Sequence, residues 1–262
     1  MNIKNDSPDV SESELQSFIL ELAEALLVSG CSSHRLEYRI QKICESMNLY
    51  CQLIVYPSAI HMQLENRQTR TLDFYLLRIK SIGLNLGKLH DLSDLAHAVA
   101  SKTISVKQAQ LRLDMIQTAQ FPYPAWAQAL SYFFVSALFF RLLQGNFRDS
   151  LAAGVLSLGV FFMEKLSSRG VHSSFLSNFF CACIATTMAL GYASVYPKVA
   201  LSQLILAGLI VLVPGLALTN ALAELSHRQL VSGTARLMES LLILVYISFG
   251  VYLPLSLSGV WK

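Results

Sequence analysis

The spacing of hydrophobic positions changes character near residue 122. Before it, apolar residues alternate with polar ones at helical or strand period. Ser11-x-x-Glu14 forms a capping box, and Leu15, Phe18, Ile19, Leu22 and Leu26 then recur on one face, predicting a helix of about fifteen residues that ends near Gly30. Ser33 can cap a second helix with Leu36, Ile40, Ile43 and Met47 on its apolar face. The period then shortens: Tyr50–Tyr56 and Ala59–Leu64, separated at Pro57, and Thr71–Leu77 after a polar turn at Glu65–Gln68 predict a small antiparallel sheet. Helices follow at Leu92–Ala100 and, capped by Ser105, at Val106–Thr118. Residues 1–122 therefore read as an α+β domain.

Beyond Phe121-Pro122-Tyr123-Pro124, which with Trp126 suits an interfacial aromatic belt, come five apolar runs. Ala125–Phe140 has 16 residues without a charge, Ser150–Met163 has 14, Gly170–Pro197 has 28, Val199–Ala223 has 25 and Ser240–Trp261 has 22. A bilayer span needs roughly 20 mainly apolar residues, with about 17 as a lower limit. The last three qualify directly. The first requires Arg141 to snorkel, and the second requires Glu164 and Lys165 to end at headgroups. Residues 123–262 are thus expected to be an all-α transmembrane bundle of about five spans, the fourth broken at Pro214-Gly215. Charge supports the division, since residues 1–122 carry 25 of the 37 Asp, Glu, Lys and Arg.

The first fifteen residues, with Asp6, Asp9, Glu12 and Glu14, are polar and acidic and do not read as a secretory signal. With the N-terminus in the cytoplasm, Lys165 and Arg169 share one cytoplasmic loop and Arg228 and Arg236 another, while Arg141, Arg148, Lys198 and Lys262 lie outside. The short loops tie, and the N-terminal region, with Lys102, Lys107 and Arg112 near the first span, decides for N-in and C-out.

Cys31, Cys44, Cys51, Cys181 and Cys183 are odd in number and contain no C-x-x-C pair, so reduced thiols are expected. His90 and His97 lack metal-ligand spacing, and no metal or cofactor is assigned. A net charge of +3 gives no reason to invoke nucleic acid. His34, Arg35 and Glu37 have the side chains of an acid/base group. Adjacent helix positions diverge, however, and no nucleophile elbow accompanies them, so an enzyme is not expected.

The chemistry concentrates in Val213-Pro214-Gly215-Leu216-Ala217-Leu218-Thr219-Asn220-Ala221-Leu222-Ala223-Glu224, closed by Arg236. Pro214 has no N–H, so a helix crossing it bends or splits, and such breaks at membrane depth usually line a cavity. The restarted helix favours an anion at its N-terminus. Thr219 and Asn220 stand one turn in, where the Asn220 amide can contact a substrate or bridge helices. Glu224 lies four residues further on the same face. It can carry a proton or pair with Arg228. Arg236 and Glu239 can pair with each other, with Glu224, or contact substrate.

The run Leu212-Val213-Pro214-Gly215, Thr219-Asn220-Ala221, Glu224 and Gly233-x-Ala235-Arg236 resembles the signature of the threonine/serine exporter family. Ser29-Gly30-Cys31-Ser32-Ser33-His34-Arg35-Leu36-Glu37 with Val55-Tyr56-Pro57-Ser58-Ala59-Ile60 is similar to its N-terminal domain. The likeness covers roughly residues 20 to 257 and makes Gly30, His34, Arg35, Glu37 and Pro57 an N-terminal motif. It implies a secondary exporter of small polar carboxylates across the bacterial cytoplasmic membrane: threonine and serine in members that fuse two membrane halves, succinate-type dicarboxylates in members split into two polypeptides. This chain, ending at Lys262, is expected to be the larger subunit of a split pair, working with a second, smaller multi-span subunit. Pro214, Gly215, Thr219, Asn220 and Arg236 are the expected substrate contacts, and Glu224 and Glu239 the coupling groups. The family tends to carry Asp at the position of Glu224 and Gly at that of Arg228. The alternative is a non-transporting assembly or regulatory subunit.

Overall fold

The computed structural model describes residues 11–80, 82–119, 123–167 and 174–259. The chain divides into two compact units, one of Met1–Gln120 and Thr219–Arg236, the other of Phe121–Leu218 and Leu237–Lys262.

In the first unit the Ser11 capping box forms as expected and starts helix α1, Glu12–Val28. Gly30 follows at φ +95°, and a Cβ there would stand 2.8 Å from the Gly83 carbonyl oxygen. Only glycine meets both demands. Helix α2 spans Ser33–Ser46. Strands β1 (Leu49–Tyr56), β2 (Ala59–Asn66) and β3 (Leu72–Arg78) form an antiparallel sheet in that order, with Pro57 and Ser58 alone making the β1–β2 turn. The strict alternation of buried and exposed residues along β1 puts Cys51, Leu53 and Val55 against the helices. Helix α3, Leu86–Ala100, starts six residues before the expected Leu92 because the Asn85 side chain caps it at the Lys88 N–H, 3.0 Å away. Helix α4 occupies the expected Val106–Thr118. Phe18, Leu22, Leu26, Leu36, Ile40, Ile60, Leu92 and Val99 form the shared core. The unit is completed by the end of helix α9 (Gly215–Ser226) and the start of helix α10 (Leu230–Ser258).

The second unit is helical. Helices α5 (Ala125–Leu142), α6 (Phe147–Ser167) and α7 (Ser174–Val195), together with α10, are long and apolar enough to cross a membrane. The bent pair Leu201–Leu212 and Gly215–Ser226 raises that count from four to five if it is one span. Helix α6 is longer than its uncharged run because its terminal charges find partners. Tyr192 Oη donates to Asp149 at 2.8 Å, the Arg148 guanidinium lies 3.5 Å from the Tyr196 ring centre, and Tyr132 Oη donates to Glu164 at 2.6 Å. Arg141 is exposed and donates to the Gly145 carbonyl at 2.7 Å, so α5 runs through it. Small residues allow close helix contact. A Cβ on Gly250 would sit 2.5 Å from the Phe179 carbonyl oxygen. Outward-facing Leu138, Phe162, Phe249 and Leu257 are exposed, as lipid contact requires.

Helix α10 begins at Leu230 rather than at Ser240, since Arg236 and Glu239 interrupt the uncharged run without interrupting helical propensity. Its 29 residues extend about 43 Å, well beyond a hydrocarbon core of about 30 Å. Asp6, Asp9, Phe121, Pro122, Arg169, Trp261 and Lys262 lie outside the described residues. The expected aromatic belt and the Lys165–Arg169 loop are therefore described only at Tyr123, Pro124, Trp126 and Lys165.

Candidate functional site

The break in the fourth span is built by local sequence. Helix α8, Leu201–Leu209, tightens into a 3-10 turn at Ile210–Leu212, and Val213, preceding proline, takes an extended conformation at ψ 122°. Helix α9 then starts at Gly215, and the two segments meet at 63°. The Gly215 N–H is turned back to the Val213 carbonyl at 2.8 Å, and Leu218 N–H reaches the Pro214 carbonyl at 3.0 Å. Gly215 and Thr219 are exposed, while Asn220 is half-buried and its side-chain amide makes no hydrogen bond to another described residue.

One turn beyond Asn220 on α9, Glu224 is buried and meets the N-terminal motif. Its Oε1 accepts from the Ser33 N–H at 3.0 Å and from the Ser33 hydroxyl at 3.4 Å. Ser33 is therefore not the cap that its sequence context predicts. Ser32 occupies the N-cap position without a side-chain bond, and Ser33 opens α2 with its N–H and hydroxyl directed to Glu224. A carboxylate at a helix N-terminus satisfies an otherwise unpaired donor and complements the helix dipole. Arg236 Nε lies 3.5 Å from the same Oε1, and its Nη2 donates to the Cys31 carbonyl at 3.1 Å. Glu224 Oε2 is buried with no hydrogen-bond partner among the described residues.

The expected alternatives for this carboxylate thus resolve toward Arg236. Arg228 closes α9 at φ 62°, and its backbone N–H bonds the Leu225 carbonyl at 3.0 Å. This left-handed position is one that glycine occupies without cost, which explains why Gly suits this point of the resembled signature. Glu239 is exposed on α10.

The remaining motif residues gather around Glu224 and Arg236. Gln229 Nε2 donates to Glu37 Oε2 at 2.9 Å, Ser232 Oγ donates to the Val55 carbonyl at 2.8 Å, and the His34 and His227 rings stack with centres 4.6 Å apart. A Cβ on Gly233 would stand 2.8 Å from the Leu225 side chain, so the α9–α10 corner closes only with glycine there. Burial raises the Glu37 pKa above the ordinary carboxylate value, and the nearby Glu224 charge adds to this, against the Val55 backbone and Gln229 bonds, which lower it. Burial also raises Cys31, outweighing Arg39, Arg35 and Arg236, so this thiol is not an activated nucleophile. Ser33, Gln229, Ser232 and His227 were not singled out as site residues by sequence. Their only signal was position within the two signature stretches. Pro57, at the hairpin turn, is structural.

The profile of a protein family described as "Putative threonine/serine exporter" matches residues 17–258. The chain belongs to the threonine/serine exporter family. The family match spans both the Gly30–Glu37 stretch and the Pro214–Arg236 stretch. Among similar proteins, a pheromone-regulated membrane protein 10 of Kluyveromyces lactis is 27% identical over 249 residues, which are 93% of this chain and 26% of that protein. The protein of the same name in Candida albicans is also 27% identical, over 93% of this chain and 22% of its own length. An uncharacterized protein, C7D4.12c, of Schizosaccharomyces pombe is 24% identical over 93% of this chain and 33% of its own. The chain spans roughly a fifth to a third of the length of these relatives. No solved structure matches it.

Proposed function

We propose that the chain is one half of a secondary exporter of small polar carboxylates, threonine and serine or succinate-type dicarboxylic acids, working with a second membrane half across the membrane that bounds the cytoplasm. The observation that carries the reading is the pairing, within a family of exporters, of a helix broken at Pro214 with a buried carboxylate, Glu224, nearly three turns beyond the break. Discontinuous helices of this kind direct a half-helix N-terminus at anionic groups of a transported solute. The unbonded Asn220 amide, one turn in, supplies both a donor and an acceptor for it. Glu224 has one oxygen bonded and one oxygen, Oε2, that can take a proton without breaking a hydrogen bond. That is the arrangement expected of a coupling group.

The presence of Arg228 and Arg236 in the same compact unit as the N-terminal helices supports a single side for all of them, as N-in orientation requires. The requirement for a second half follows from resemblance to the split members of the family. Reconstitution tests both. The chain alone in proteoliposomes is expected to give background flux, and the chain with a matching membrane half saturable efflux of either threonine and serine or succinate. Robust transport by the chain alone would remove the partner. No carboxylate flux in either case would favour an assembly or regulatory subunit.

A further inference from the structure

Helices α2 and α3 border an open cavity of about 510 Å³ that the transport reading does not use. One wall is cationic. Arg35, Arg39 and Lys42 follow at i, i+4 and i+7 of α2 and so project from one face. The opposite wall is α3, where the short side chains of Ser93, Ala96 and Ala100 stand beside Asp94 and His97. The wall is thereby kept open rather than filled.

The cations are not matched by protein acids. Among the described residues none of the three has a carboxylate within ion-pair distance: Arg39 Nη1 donates to Cys31 Sγ at 3.3 Å, and Lys42 Nζ sits 4.8 Å from the Tyr38 ring centre. The one acid of the lining, Asp94, lies 3.6 Å from His90 on its own helix. Like charges at i, i+4 destabilise a helix, and Arg35 and Arg39 stand at that spacing on α2; Glu45, three residues after Lys42, offsets the charge at that end without coming within ion-pair distance. Two guanidiniums on one face of a cavity this size suit a ligand with carboxylate or phosphate oxygens, which each can hold through two parallel bonds. The volume lies within the range of small-molecule sites.

We propose that this cavity binds a soluble small anion with two or more negative charges, borne by phosphate or carboxylate groups. The site is an effector or substrate-collecting site of the N-terminal unit, and it stands independently of the transport path proposed above.

The test uses the full chain in nanodiscs of neutral phosphatidylcholine, titrated calorimetrically with inorganic pyrophosphate and, separately, succinate. Saturable binding of at least one, weakened by added salt, is expected. Arg35→Ala/Lys42→Ala should weaken it at least about tenfold, with the melting temperature unchanged. Arg35→Ala alone, at an exposed position, should weaken it measurably, and Lys107→Ala, outside the cavity, should not. The pyrophosphate and succinate arms distinguish a phosphate ligand from a dicarboxylate. The proposal is overturned if neither anion binds saturably, if the double variant binds as wild type, or if only phosphatidylglycerol discs stabilise the chain through these residues, which would make the face a lipid contact.

Discussion

Arg236 and Glu224, twelve residues apart, meet with Nε 3.5 Å from Oε1 at side-chain exposures of 10% and 1%, and the same carboxylate oxygen receives the first N–H of α2. One buried charge pair thereby fastens the two signature stretches of the family to each other. Removing one partner from a buried pair leaves the other uncompensated, at a cost of about 3–5 kcal/mol. Arg236→Ala and Glu224→Leu should each destabilise the purified chain by that amount in chemical denaturation. Glu224→Gln keeps an acceptor for Ser33 and Arg236, so it should cost only about 1–3 kcal/mol. Equal losses for Gln and Leu would show that the charge, and not the acceptor, holds the corner.

Ser232 is buried and its hydroxyl donates to the Val55 carbonyl, joining α10 to strand β1. Ser232→Ala leaves that carbonyl without this donor and is expected to cost about 1–3 kcal/mol. Ser226→Ala is the control, since Ser226 is exposed and its hydroxyl donates within its own helix, to the Leu222 carbonyl. It should change stability by less than about 0.5 kcal/mol.

Arg228 holds φ 62° at the end of α9. A side chain in this region costs about 1 kcal/mol that glycine avoids, although glycine is freer when unfolded. Arg228→Gly should therefore raise the denaturation midpoint slightly or leave it unchanged. A loss comparable to a buried-pair deletion would reveal a role for the guanidinium.

Glu37 has a raised pKa, chiefly from burial, so its folded state binds a proton more tightly than the unfolded chain. Its contribution to stability is fully present below the unfolded carboxylate value and is lost as pH rises through the folded one. Glu37→Gln retains a partner for Gln229 and should flatten the pH dependence of stability from about pH 4.5 upward. An unchanged slope would assign that dependence to other groups.

Local signals made much of the fold legible. The capping box at Ser11 and the cap at Ser105 place α1 and α4, and strand alternation places the sheet, because these depend on neighbours in sequence. Two helix starts were misplaced for identifiable reasons. Asn85 caps α3 amid glycines that read as loop, and the charges of Arg236 and Glu239 masked the first turns of α10. The broken span was visible in Pro214-Gly215. The site was legible only as a set of residues. That Glu224 binds Ser33, 191 positions away, has no local signature, so the sequence offers the carboxylate only a proton or an arginine, Arg228 or Arg236, and reads Ser33 as a cap.

The coupling role of Glu224 is tested most directly by comparing two fluxes in proteoliposomes carrying the chain with its matching half: substrate counterflow, which needs no net proton movement, and export driven by a pH gradient. For Glu224→Gln, counterflow should persist, which also shows that the protein is folded, while pH-driven export should be lost. Full pH-driven export by Glu224→Gln would contradict the coupling role and leave Glu224 as the structural partner of Arg236 and Ser33 alone.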